Sequence, residues 1–176
     1  YLESSDRIVP PANMNPGTPG RGIMTIEKEG ITLTVINMSG RVFMDQHDDP
    51  FRMIDMMLGA MPCLIDFHGE ATSEKIAFGW HVDGRATALV GTHTHVQTAD
   101  EQILPEGTAY ITDVGMSGPH NGVIGMDRDI VVKKFRTGMP ARFEVANGPG
   151  IVHGVVITVD AKTHLATGIE RIRFAT

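Results

Sequence analysis

Two short apolar runs constrain this chain more than any other feature. Cys63-Leu64-Ile65-Asp66-Phe67 and Ala86-Thr87-Ala88-Leu89-Val90 each read as a buried β-strand. The segment between them carries helix signals. Thr72 is a candidate N-cap, Glu74 is favourable in the first turn, and Gly84 is a stop. Each strand runs into histidine: the first ends at His68, the second leads into Gly91-Thr92-His93-Thr94-His95.

Around this centre the pattern continues. Gly22 to Glu27 and Ile31 to Ile36 alternate about Glu29-Gly30, a hairpin signal. Asp49-Pro50 opens a short helix with Phe51, Ile54, Met57 and Leu58 on one face and Gly59 at its close. Thr108 to Val114 reads as a third strand, Gly115 to Gly125 as a loop, and Asp129 to Phe135 as a brief helix at best. Arg142 to Val145, Val152 to Val159 and Ile169 to Phe174 alternate as antiparallel strands do. Helices alternate with buried strands in the middle, and strands pair at both ends. That predicts a mixed α/β sandwich with helices packed on sheets, and 176 residues suffice for one such domain.

Composition narrows the function. The chain carries a formal charge of −6, and its Lys and Arg are scattered, which argues against a polymer-binding basic face. A small phosphorylated substrate stays open, because metal ions can meet its charge. No apolar run approaches the roughly 18 residues of a membrane span. Cys63 is the only cysteine, so a reducing cytoplasm fits. The Pro- and Gly-rich segment from Tyr1 to Gly22, with no Met at its start, reads as a connection leaving an earlier element, so further sequence is expected upstream of Tyr1.

Three histidines stand apart from the other five. Side chains two apart on extended backbone point the same way, so His93 and His95 can face one cleft. His68 ends the neighbouring strand, and ligands in α/β folds gather outside the carboxyl ends of strands. Imidazole is the commonest protein ligand for zinc, manganese or iron, and Asp66 or Glu70 can orient the rings from behind. Taken singly, such a histidine is usually structural or solvated. Other signals are weaker. Gly17 to Gly22 lacks the ending of a phosphate loop, Cys63 lies within an apolar strand, and Ser73 and Ser117 have no nucleophile-elbow context. The methionines from Met53 to Met61 fit a core or a subunit interface, so a homo-oligomer is possible. His47, His81, His153 and His164 default to structural or surface roles, while His120, in the Gly-rich loop, is the substrate-loop candidate.

Three longer segments are more specific than their histidines: Asp66 to Lys75, Gly91 to Glu101 and Thr108 to Pro119. Together they resemble the YmdB-like branch of the calcineurin-type metallophosphoesterases, bacterial proteins associated with hydrolysis of phosphodiesters, including 2′,3′-cyclic nucleotides. The resemblance runs from about Asn13 to Arg173. It implies two packed mixed sheets flanked by helices, the αββα sandwich of that family, with residues 1–176 forming the C-terminal two-thirds of the domain. It also implies that His68 is the lone metal-binding histidine and that His93 and His95 are the H-x-H ligands. Two divalent ions, Mn, Fe or Zn, about 3.5–4 Å apart would activate a water against phosphorus.

The family's Asp, Glu-Asn and Gly-Asn-His motifs, which supply the other ligands and the leaving-group histidine, have no match between Tyr1 and Thr176. The resemblance therefore places the catalytic histidine upstream of Tyr1, and Asn13 is no substitute. Gln97 stands where proline is usual. Two rival expectations follow: a non-catalytic fragment that binds one metal or a partner, and a mononuclear hydrolase acting on something other than a phosphoester.

Overall fold

A computed structural model describes residues 1–59 and 62–175. Its two sheets and three helices form a mixed α/β fold. The hairpin opens the chain as β1 (Ile23–Lys28) and β2 (Ile31–Ser39), paired antiparallel. Glu29 and Gly30 both take positive φ, 54° and 78°, the two-residue turn that matches strand twist. α1 (Pro50–Met57) starts at Asp49, whose carboxylate accepts from the amides of Phe51 and Arg52. Ile54 is buried, and Phe51, Met53, Met57 and Leu58 pack around it. Met56 is exposed, so only part of the methionine cluster serves the core, and Met61 lies outside the described residues.

β3 (Cys63–His68), α2 (Thr72–Val82) and β4 (Ala88–Thr92) form the central crossover, with β3 parallel to both β2 and β4. The first sheet runs β1-β2-β3-β4-β6-β5, where β5 is Gln102–Ile103 and β6 is Ala109–Ile111. Its core joins Ile36, Met38, Ile65, Phe67 and Leu89 to Phe78 and Val82 of α2. Cys63 belongs to this core, where burial pushes its thiol up to about 11, an inert group.

The second sheet is β7 (Ser117–Pro119), β8 (Gly150–Val159) and β9 (Ala166–Ala175), all antiparallel. Ala88, Ala109 and Ala166 form a second core with Leu64, Ile103, Ile157 and Ile169, and this joins the two sheets. α3 (Arg128–Thr137) begins at Asp127, which accepts from two backbone amides, and ends at Gly138 with φ 68°. Among the described residues no helix is long and apolar enough to cross a membrane.

Several expectations need correction. Thr72 is not the N-cap of α2: Ala71 holds that place with no side-chain bond. Glu74 does sit in the first turn, but its carboxylate reaches back to accept from the amides of Arg41 and Val42, fastening the loop after β2. The third strand stops at Ile111, and Asp113 turns inward to other partners. Arg142 to Val145 finds no strand partner beyond a single bridge from Val145 to Met126. α3 is longer than expected because both ends are capped, and part of the Gly115–Gly125 loop is β7.

β4 also shows a close approach. At Gly91, an added Cβ would lie 1.8 Å from the Thr112 carbonyl oxygen. Replacing Gly91 by alanine is therefore expected to lower stability by about 1–3 kcal/mol, read as a shift in the urea midpoint. An unchanged midpoint would mean the segment after β6 can simply move aside.

Candidate metal centre

β3 and β4 run parallel with His68 directly opposite Thr92, so both strands end at the same level. His68 Nδ1 lies 3.0 Å from Thr92 Oγ1, and that hydroxyl donates its single hydrogen to Asp66 Oδ1 at 2.8 Å. Thr92 must then accept from His68, so Nδ1 of His68 carries the proton and Nε2 presents a lone pair. Burial foremost, and then the neighbouring His93, hold the His68 pKa below its ordinary value and favour this neutral ring. Burial also raises the Asp66 pKa, against the lowering effect of the Thr92 bond.

The chain turns sharply after β4. His93 and His95 both take positive φ, 104° and 67°. The two side chains do line one cleft of about 410 Å³ together with His68, but the backbone that brings them there is left-handed, not extended as their spacing suggested. His93 Nε2 is 3.0 Å from Glu70 Oε2, and His93 Nδ1 is 3.0 Å from His68 Nε2. The rings meet edge to face, 4.8 Å between centroids. Asp66 thus stands behind His68 through Thr92, and Glu70 stands directly behind His93.

This geometry poses a question of charge. His68 offers Nε2 as an acceptor, and a neutral His93 that donates Nε2–H to Glu70 offers Nδ1 as an acceptor too. Two lone pairs facing at 3.0 Å repel unless a cation, a proton or a metal ion, stands between or beside them. The pair therefore fits shared ligation of one divalent ion. The described residues do not, however, gather three or more His, Cys, Asp or Glu side chains into a metal-holding cluster.

Beneath the loop lies a feature that the spacing of the histidines did not reveal. Lys75 of α2 and Asp113 are both fully buried and paired at 2.9 Å. Asp113 Oδ2 also accepts from the backbone N–H of Thr94 at 3.0 Å and from its hydroxyl at 2.7 Å. Its Oδ1 accepts from the Gly115 amide. Thr94 is the residue between His93 and His95, so this carboxylate anchors the loop that aims both rings. The sequence signal was available: an ionisable residue inside an apolar run needs a buried partner.

His120 does not reach this cleft. Its Nδ1 lies 3.2 Å from the Pro149 carbonyl, and the ring lines a neighbouring cleft with His95, Gln97 and His153. His81 pairs with Asp55, which also pairs with Arg85, on the surface, as a structural histidine should. His153, assigned by default to structure or surface, lines the neighbouring cleft as well.

The hydroxyl relay has a testable weight. Thr92→Val keeps shape but deprives His68 of its partner, and affinity for manganese is expected to fall about 10–100-fold with the fold intact. A variant that titrates like the wild type would remove Thr92 from the site.

A family model described as YmdB-like protein matches residues 1–172. The 2′,3′-cyclic-nucleotide 2′-phosphodiesterase of Bacillus subtilis (strain 168) is 52% identical over 177 residues, covering 98% of this chain and 67% of that protein. A hypothetical protein from Thermus thermophilus superposes with a TM-score of 0.93 at 40% identity, over 99% of this chain and 69% of its own. A novel phosphatase from Mycoplasma pneumoniae gives 0.92 at 33% identity, over 99% and 66%. The chain thus spans about two thirds of each of these relatives.

Proposed function

We propose, from the premise that the chain belongs to the YmdB-like family, that it is part of a metal-dependent phosphodiesterase acting on small phosphodiesters such as 2′,3′-cyclic nucleotides. The observation that carries this reading is the facing pair of His68 Nε2 and His93 Nδ1, each ring tied on its far side to a carboxylate, directly or through Thr92.

In this reading His68, His93 and His95 hold divalent metal: Mn, Fe or Zn all suit such a donor set, and the family resemblance implies two ions. Bound divalent ions supply water activation near neutral pH and offset charge on the phosphoryl oxygens. The chain's own residues do the positioning. Asp66 with Thr92, and Glu70, fix the ring tautomers. Lys75 and Asp113 hold the loop between the H-x-H histidines. Met116, Pro119, Ile124 and Met126 line the cleft with apolar surface, which lowers the local dielectric and strengthens every charge interaction inside.

Residues 1–176 are read as the C-terminal two-thirds of the domain, with the remaining ligands and the leaving-group histidine supplied from the rest of the relatives' length. Three histidines alone suffice for one ion but not for a two-metal site, so this stretch by itself is expected to hold at most one ion and to have little activity. A reducing cytoplasm suits its lone buried thiol. The test is hydrolysis of uridine 2′,3′-cyclic phosphate and bis-p-nitrophenyl phosphate by the longer protein with manganese. Cleavage of amide or carboxylic ester substrates, with both phosphodiesters untouched, would overturn the reading.

A further inference from the structure

We propose that the cleft beside the histidine cleft is a phosphate subsite. It takes the phosphodiester one nucleotide 5′ of a terminal 2′,3′-cyclic phosphate, so that the preferred substrate is a short oligonucleotide end, not a lone nucleotide. This rests on the phosphodiesterase reading above. The two clefts are continuous, since His95, Met116, Ile124 and Gly125 line both. The second holds about 370 Å³, within the range of small-ligand sites.

Its charge runs against the rest of the molecule. The chain carries −6 overall, yet no Asp or Glu lines this cleft, while Arg171, Arg173, His120 and His153 do. Arg171 Nε is occupied by Glu101 at 2.8 Å. Arg173 makes no ion pair or side-chain hydrogen bond among the described residues, so it is the uncompensated cation of the cleft. A guanidinium in that position matches the two free oxygens of a phosphodiester in a bidentate way that a lysine cannot.

His153 of β8 lies directly opposite Arg173 of β9. The imidazole packs on Gly115, where an added Cβ would come within 2.6 Å of its Nδ1. That Nδ1 is buried with no hydrogen-bond partner among the described residues. Met116, Ile124 and Ile151 give the same cleft apolar surface against which a base or ribose can rest. One uncompensated arginine, with the other basic residues scattered, limits the footprint to a single additional phosphate; a long strand would need a basic track.

The experiment compares uridine 2′,3′-cyclic phosphate with a uridine dinucleotide ending in the same cyclic phosphate. Dissociation constants are measured in chelator, where neither probe is cleaved. The dinucleotide is expected to bind about tenfold more tightly, with a log–log salt slope steeper by about 0.7 for its one added phosphate contact. Arg173→Gln, on an exposed strand position that does not threaten folding, should bring both the affinity ratio and the slope difference to nothing. Equal affinities in the wild type, or a preference that survives Arg173→Gln, overturns the subsite. With manganese added to the longer protein, failure to cleave either probe would overturn the phosphodiesterase reading, while the affinity ratio would still decide the subsite.

Discussion

Replacing Lys75 by methionine is expected to lower folding stability by about 3–5 kcal/mol, the cost of leaving a buried charge without its partner. Asp113 has no exposed surface, and beyond Lys75 its carboxylate accepts from Thr94, through both amide and hydroxyl, and from the Gly115 amide. With the ammonium removed, only the neutral donors of Thr94 and Gly115 face the carboxylate. The loss is read from urea unfolding, and a change below about 1 kcal/mol would mean the pair is not buried as described. A double variant, Lys75→Met with Asp113→Leu, should regain much of that stability because no charge is stranded. It should still bind metal poorly, since the Thr94 amide and hydroxyl lose the acceptor that aims the loop. That split separates a role in folding from a role in positioning.

The second large effect is at the ligands. His93→Ala removes one of the two nitrogens that face each other at 3.0 Å. In the longer protein, metal content and phosphodiesterase activity are expected to fall together. The activity should drop by at least about 100-fold, beyond the roughly 10–100-fold typical of a lost supporting residue. The fold should survive, because His93 is partly exposed on a loop and its removal eases crowding against His68. A variant that stays active with its full complement of metal would end the assignment.

Much of this arrangement was legible because the strongest signals are local. Short apolar runs, an Asp-Pro helix start and a Glu-Gly turn each declare themselves within a few residues, and β3, α1 and the first hairpin follow them closely. His68 was legible for the same reason, since it ends β3, while His93 and His95 follow β4 on a left-handed turn that their spacing did not show. Failures arose where a distant residue decides a local matter. Thr112 to Val114 continues an apolar strand pattern, but Asp113 turns away to meet Lys75, 38 residues earlier in the chain. Arg142 to Val145 alternates correctly yet meets only the single bridge to Met126. His153 and Arg173 become neighbours only through the register of β8 on β9, which periodicity cannot supply. For α3 the signals were present in Asp127 and Gly138, two caps that outweigh a weak apolar stripe.

That His68, His93 and His95 hold metal is tested most directly by elemental analysis. The 176-residue chain and its His93→Ala variant would be saturated with manganese, freed of excess, and their ions counted per chain. About one ion is expected for the wild type and close to none for the variant. An ion content that the substitution leaves unchanged, or a wild type that retains no metal, would contradict the assignment.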